Sequence, residues 1–305
     1  MLTGPPVIIS IGELLWDQFP DSAHLGGAPS NFAVHTASLG ARSILVSRVG
    51  QDKYGNRAVE ILGEKGVDTA FIQRDPVLTT GLVNVDLSGD EPEYEILGQV
   101  AWDDIAWEDR FSSLMESADA VCFGTLSQRS DTSRTTILRA VHNAKDSCLK
   151  VLDLNFRQDY HSLEVVQNSL QLADVVKLSG PEIPILRRYL GGGQDDGQFL
   201  KNLRSRYSLD CVVLSLGERG CRVFDGGDEF TVKAVSRDVV NTVGAGDAFT
   251  AAFVTHRLAG NDAETCAKKA NQAGGYVVTC EDGMPILPTT HRIFAFNPPY
   301  RKEAN

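Results

Sequence analysis

No stretch of this 305-residue chain stays apolar long enough to cross a bilayer, and Met1-Leu2-Thr3-Gly4-Pro5-Pro6-Val7 has neither a basic cluster nor a small-residue cleavage site. A cytoplasmic protein is the expectation. Basic residues are in deficit, 29 Lys and Arg against 40 Asp and Glu. The resulting net charge of −11 argues against a nucleic-acid or anionic-membrane partner. It leaves a small anionic ligand open, because a local anion-binding turn works inside an acidic protein. The six cysteines (Cys122, Cys148, Cys211, Cys221, Cys266 and Cys280) are scattered, with no Cys-x-x-Cys and no histidine at ligand spacing. A zinc centre is therefore not expected, and the thiols are read as reduced and mostly buried. Two nucleotide signatures are missing as well: no Gly-Lys-Ser/Thr follows a glycine loop, and no Gly-x-Gly-x-x-Gly follows the first strand.

What is present is an ordinary globular composition, 42% hydrophobic and 23% charged, enough for one large α/β domain. Short β-branched runs at 7–12, 43–49, 120–124, 150–155, 174–178 and 211–216 read as buried strands. Between them, 30–39, 55–66, 133–144, 163–173, 181–189 and 197–207 read as helices, and two more close the sequence near 245–258 and 262–279. Such alternation predicts a mainly parallel sheet with helices on both faces. One region departs from it. Residues 80–97 alternate with period two around Gly89-Asp90, an antiparallel hairpin, and 14–19 supplies a candidate neighbouring strand. A few strands outside the main sheet are expected to cover its ligand edge as a lid.

The most informative stretch is Val239-Val240-Asn241-Thr242-Val243-Gly244-Ala245-Gly246-Asp247. Gly244, Ala245 and Gly246 leave the backbone bare, so its N–H groups can approach an anion. The Ala-rich helix that follows points its positive end at the same place. Asp247 stands in the first turn, where the helix N-terminus is expected to keep it ionised. An anion cradle beside a carboxylate is what phosphoryl transfer to an alcohol requires. The plain alternative is a glycine turn with an acidic residue favouring the helix dipole.

Other segments fall at carboxyl ends of predicted strands, where open α/β sheets gather their ligands. Gly12-Glu13-Leu14-Leu15-Trp16-Asp17 and Gly26-Gly27-Ala28-Pro29-Ser30-Asn31 offer a carboxylate, Asp17, and a carboxamide, Asn31, for vicinal hydroxyls. Structurally they read as a turn and a helix cap. In Asp153-Leu154-Asn155-Phe156-Arg157 the arginine presents a fork of donors for a phosphate or sugar oxygen; its bland reading is a salt bridge at the sheet edge. Lys177-Leu178-Ser179-Gly180-Pro181-Glu182 looks like ordinary helix capping, with Glu182 also able to hold water around a magnesium ion. The glycines of Ser215-Leu216-Gly217-Glu218-Arg219-Gly220 allow a nucleotide to approach closely, or make a simple turn.

Together these segments resemble the ribokinase/PfkB family of carbohydrate kinases over nearly the whole chain. Gly26-Gly27 with Asn31 is similar to the family's N-terminal glycine motif, and Thr242-Val243-Gly244-Ala245-Gly246-Asp247 to its C-terminal one. With Ala101-Trp102-Asp103 and Asp153–Arg157 added, the sequence looks most like bacterial fructokinases. The resemblance implies a single kinase domain over 1–305, a three-layer α/β sandwich with a β lid from segments near 13–27 and 78–105. It also implies ATP and Mg2+ as cosubstrates and phosphorylation of a sugar hydroxymethyl group, with fructose as the expected acceptor. It makes Asp247 the base, Gly244, Ala245 and Gly246 the anion hole, and Asp17, Gly26, Gly27, Asn31 and Arg157 the sugar contacts. Ser215, Gly217, Gly220 and Asn271 would lie along the nucleotide, and Glu182 near magnesium. A homodimer through the lid belongs to the same expectation. Two positions depart from the pattern: Asn241 stands where the family usually has Asp, which counts against potassium activation, and Ser179 replaces the Asn of Asn-x-x-Glu. Two other readings stay open, a kinase for a sugar acid or nucleoside, and a catalytically weak sensor of sugar or nucleotide.

Overall fold

The computed structural model describes residues 4–86, 93–193 and 195–294. The turn expected at Gly89-Asp90 lies outside them. The β-branched runs form the core of a nine-stranded sheet. β1 (Val7–Ile11) lies beside β4 (Arg42–Gly50), with β5 (Ile72–Asp75) at one edge. On the other side follow β8 (Ala120–Gly124), β9 (Leu149–Asp153), β10 (Val175–Ser179), β11 (Cys211–Ser215), β12 (Cys221–Asp225) and β13 (Asp228–Val232). All pairings are parallel except those of β12 and β13, which make an antiparallel edge.

Nine helices among the described residues cover both faces: α1 (Ala28–Ser38), α2 (Lys53–Glu64), α3 (Arg110–Ser117), α4 (Asp131–His142), α5 (Leu163–Leu172), α6 (Glu182–Leu190), α7 (Asp196–Arg206), α8 (Ala245–Leu258) and α9 (Ala263–Val277). Side chains alternate across each strand and so divide between two cores. Ile9, Ile11, Val121, Phe123, Val212 and Leu214 pack with residues of α3 to α7. Ile8, Ala120, Cys122, Cys211 and Val213 pack with α1, α8 and α9. Fully burying each Ile, Leu or Phe contributes on the order of 1.5–3 kcal/mol, which is why these strands tolerate few polar residues. The expected three-layer arrangement is the one found.

The expected hairpin is present as β6 (Gly81–Asp86) and β7 (Glu93–Ile96). It joins β2 (Leu15–Gln18) and β3 (Ala23–Gly26) in a separate four-stranded sheet, in which β2 pairs with β6 in parallel. One face of it, Leu15, Val83 and Ile96, packs with Trp102 and Leu126. Arg129 locks this junction. Its guanidinium is bidentate to Asp103 at 2.7 and 2.8 Å, donates to the Leu97 carbonyl, and lies between the rings of Trp102 and Tyr160. Among the described strands and α-helices, β5, α3, β12 and β13 were not expected, nor was β3 as a strand of its own inside the expected lid segment near 13–27.

No helix among the described residues is long and apolar enough to cross a membrane. The strand order changes direction at β1, whose neighbours β4 and β8 are reached by crossovers on opposite sides. The cleft outside its carboxyl end is therefore the natural ligand position.

Candidate active site

The N-terminus of α8 points into that cleft. Gly244 caps the helix at φ +76°, a left-handed conformation, and a Cβ there would stand 2.0 Å from the Gly283 carbonyl. Only glycine meets both demands. No side chain caps this helix end; the Ala245 N–H donates to the Thr242 carbonyl at 3.3 Å, and the N–H groups that follow it in the first turn are the ones left to a ligand or solvent.

Asp247 lies half-buried in the first turn and, with Glu13, Phe32, Cys122, Asp153 and Asn155, lines a small pocket. Asn31, buried on α1, donates Nδ2 to Asp247 Oδ2 at 2.7 Å. Its Oδ1 is buried without a protein partner. The helix N-terminus was expected to keep Asp247 readily ionised, and here the structure corrects the sequence. Burial, and then the negative charge of Asp153, push Asp247 up to about 7, against the lowering effects of Asn31, Lys177 and Arg157. A carboxyl group poised there can take a proton from a hydroxyl at neutral pH.

The other expected acceptor groups are not among the residues lining that pocket but adjoin them, Gly27 against Glu13 and Asp17 within reach of the Arg157 charge. Gly26 makes room for Asp17, since a Cβ there would meet its Oδ2 at 2.6 Å. Gly27, at φ +104°, would clash with the Glu13 carbonyl at 2.5 Å if it carried a side chain. Burial raises Asp17, with Arg157 and His24 pulling it back. Arg157 is exposed at the rim, and its charge also lowers Glu13 and Asp247. The turn that carries it is held by two left-handed residues, Asn155 (φ 44°) and Gln158 (φ 46°).

Ser215, Gly217 and Gly220 cluster at the carboxyl end of β11, beside Gly180, whose N–H donates to the Ser215 carbonyl. Gly274 lets α9 approach Ala245, where a Cβ would sit 3.0 Å from its carbonyl.

Two expected ligand groups, Asn271 and Glu182, turn out to be engaged within the protein, as does Asn241, which departs from the family pattern. Asn271 spends its amide on the carbonyls of Val232 and Lys233. Glu182 accepts from the backbone N–H groups of Phe156 and Ser179 and from the Ser179 hydroxyl, at 2.8, 2.6 and 2.8 Å. It therefore clasps the Arg157 loop to the end of β10. Asn241 donates to the Glu281 carbonyl at 2.9 Å and accepts from the Val243 N–H at 3.0 Å.

Glu13, Asp153 and Lys177 were quoted within motifs but not selected as site residues. Glu13 is buried against Ser127, whose hydroxyl donates to its carboxylate, and burial raises its pKa. Lys177 and Asp153 pair at 3.1 Å with both side chains buried. The available signal was a charge inside an apolar strand, as in Val-Val-Lys-Leu. No group of three or more His, Cys, Asp or Glu suited to a metal occurs among the described residues.

A mainly parallel α/β sheet with a helix N-terminus and a buried carboxylate at its ligand edge is an arrangement compatible with phosphoryl transfer to an alcohol, and the family match gives the class. The chain belongs to the pfkB family of carbohydrate kinases, whose model matches residues 12–290. It is 32% identical over 284 residues to a sugar kinase of Pyrococcus horikoshii, covering 87% of each chain. The crystal structure of that kinase with ATP superimposes with a TM-score of 0.75, at 29% identity over 91% of this chain and 94% of that one. Fructokinase-1 of Zea mays is 28% identical over 316 residues, 95% of this chain and 97% of its own. Vibrio cholerae fructokinase, solved with fructose, ADP and calcium, superimposes with a TM-score of 0.79 at 25% identity, over 93% of this chain and 96% of that one.

The raised Asp247 carries a stability consequence. A carboxyl with its folded pKa lifted from 3.8 to about 7 favours folding below its unfolded value, and that contribution is lost as pH rises through about 7. Asp247→Asn is thus expected to stabilise the fold by about 2 kcal/mol at pH 8, and by less at pH 5. Urea unfolding at the two pH values measures this. Equal effects at both would mean that Asp247 titrates as an ordinary carboxylate.

Proposed function

We propose that this kinase transfers the γ-phosphoryl group of ATP to the hydroxymethyl group of a neutral sugar, with fructose the leading acceptor. The observation that carries this reading is Asp247, held by Asn31 at the N-terminus of α8 and raised to about 7. In the step, the sugar hydroxyl oxygen bonds to the γ-phosphorus, the bond from that phosphorus to the β–γ bridging oxygen breaks, and ADP departs with the electron pair. The hydroxyl proton passes to Asp247. The N–H groups around Gly244, Ala245 and Gly246 hold the transferring phosphoryl oxygens. Magnesium, when bound, neutralises charge on the phosphate oxygens. It would be held mainly by the nucleotide phosphates, and Glu182 would reach it only through water, with the acceptor capacity that its clasp leaves.

Asp17, Gly26, Gly27, Asn31 and Arg157 are the proposed sugar contacts, and the unpartnered Asn31 Oδ1 suits a sugar hydroxyl. Ser215, Gly217 and Gly220 are the proposed nucleotide contacts, with Asn271 shaping their floor. The whole chain is read as one kinase domain, with the four-stranded sheet as a lid that excludes water over the sugar. A neutral acceptor is favoured over a sugar acid because Glu13 and Asp17 bring carboxylates to the side of the pocket that Arg157 faces. The tuned carboxylate speaks against a mere sensor.

A coupled assay for ADP across sugars, sugar acids and nucleosides tests the acceptor, with fructose expected to lead. Asp247→Ala is expected to leave ATP binding nearly intact and to lower turnover about 10²–10⁴-fold. Near-normal turnover in that variant would remove Asp247 from the role of base.

Asn241 sets a further expectation. Its amide already ties Val243 to Glu281 and brings no negative charge, so turnover should depend less on potassium than in relatives that carry Asp there. Activity against potassium concentration at fixed ionic strength checks this for the wild type and Asn241→Asp. Strong activation of the wild type would refute it.

A further inference from the structure

Beneath the proposed anion hole lies an ion pair that the catalytic reading does not use. Lys177, in the middle of β10, directs its ammonium to Asp153 Oδ1 at 3.1 Å, and both side chains are about nine-tenths buried. The other carboxylate oxygen of Asp153 lies 3.0 Å from the Thr250 hydroxyl, which is also 3.0 Å from the Gly246 carbonyl. Thr250 stands three residues after Asp247, on the same face of α8. Gly246 covers the ammonium directly, and a Cβ built on it would sit 3.2 Å from Lys177 Nζ. One buried cation is thus seated under the first turn of α8 and linked through Asp153 to the helix that carries Asp247.

A buried ion pair is weak evidence for stability, because desolvating two charges offsets most of their attraction. Its position here suggests another use. We propose that Lys177 and Asp153 are positioning residues that set the charge balance at Asp247 and so fix the pH at which it accepts the sugar proton. This rests on Asp247 being the base.

The groups facing Asp247 are few: Asn31 from α1, Glu13 after β1, Cys122 on β8, Asp153 at the end of β9, Arg157 on the following loop, and Lys177 from β10. Asn31 is neutral, and burial together with neighbouring carboxylates keeps the Cys122 thiol protonated. Exposed Arg157 acts by its charge on buried Glu13, which lines the pocket. Asp153 and Lys177 remain as the pair closest to α8. Burial alone would favour neutral Lys177, but Asp153, Glu182 and Asp247 reverse this and keep it charged. Removing the ammonium leaves Asp153 as an uncompensated negative neighbour and favours protonated Asp247. Removing the Asp153 charge leaves the ammonium alone and favours ionised Asp247. The two substitutions therefore act in opposite directions, which general damage to the fold cannot imitate.

The experiment is the pH profile of kcat/KM for the full-length enzyme with fructose and ATP. The acidic limb should move up by about one pH unit in Lys177→Met and down by about one unit in Asp153→Asn, with the double variant near the wild type. If Lys177→Met does not fold, the downward shift in Asp153→Asn decides alone. An unmoved limb, or shifts in the same direction, would overturn the proposal while leaving Asp247 as base. Loss of the limb in Asp247→Asn is expected; its persistence would overturn the base assignment itself, and this inference with it.

Discussion

The hydrogen bond from Asn31 to Asp247 joins residues 216 positions apart, and the geometry of the site depends on it. It fixes the first helix of the chain against the N-terminus of α8. Those two helices pack on one face of the sheet, and Ala248, Ala251 and Ala252 of α8 keep the contact close. Close approach in turn explains the glycines. Gly27 must let the Glu13 carbonyl pass, and Gly244 must let the Gly283 carbonyl pass. A hydrogen bond to a charged group contributes only about 1.5–3 kcal/mol, little against the burial of two hydrophobic cores. Its weight lies in precision, since a proton acceptor misplaced by an ångström forfeits much of its effect.

Two opposing fields act on Asp247. A helix N-terminus favours the ionised form by about 0.3–1 kcal/mol, and up to about 2 where partly buried, on the order of one pKa unit. Burial of a carboxylate acts the other way, by up to about 3–5 units when it is complete. Burial prevails, with Asp153 adding to it, and the group rises to about 7. A helix dipole alone would have left the carboxyl ionised and a weaker proton acceptor. The fold holds the glycine turn proposed to bind the anion and the carboxyl proposed as proton acceptor within one helical turn, and burial sets the carboxyl apart from the field of the helix.

Most of the architecture was legible because it follows from periodicity. The strand runs 120–124 and 211–216 and the helix at 245–258 fall within a residue of their observed bounds, since apolar spacing and the Gly244 and Gly260 breaks determine them locally. The edge hairpin of β12 and β13 was not. Arg222, Asp225, Asp228 and Glu229 interrupt its apolar pattern, because an edge strand has one side to show to water. Short β3 and β5 failed for a related reason: their pairing partners, not their own residues, hold them in place. At the site, Gly244 to Asp247 and Asn31 were visible as motifs, whereas the roles of Glu182 and Asn271 were not. A carboxylate or amide near a ligand edge looks the same in sequence whether it faces a ligand or clasps a loop; only its partners distinguish the two.

The same distinction bears on Asn241. A carboxylate at this position would bring a negative charge against the Glu281 carbonyl. The carboxamide brings none: its Nδ2 donates to that carbonyl and its Oδ1 receives the Val243 N–H. One side chain joins the segment leading into the anion-binding turn to the 281–283 loop, which His35 also grips through the Gly283 carbonyl. That carbonyl is the one Gly244 must avoid. Asn241 and His35 therefore brace from outside the same turn that Asn31 braces from within, so the cradle can be rigid before any ligand arrives, and preorganised donors give up little energy to reorganisation when charge develops.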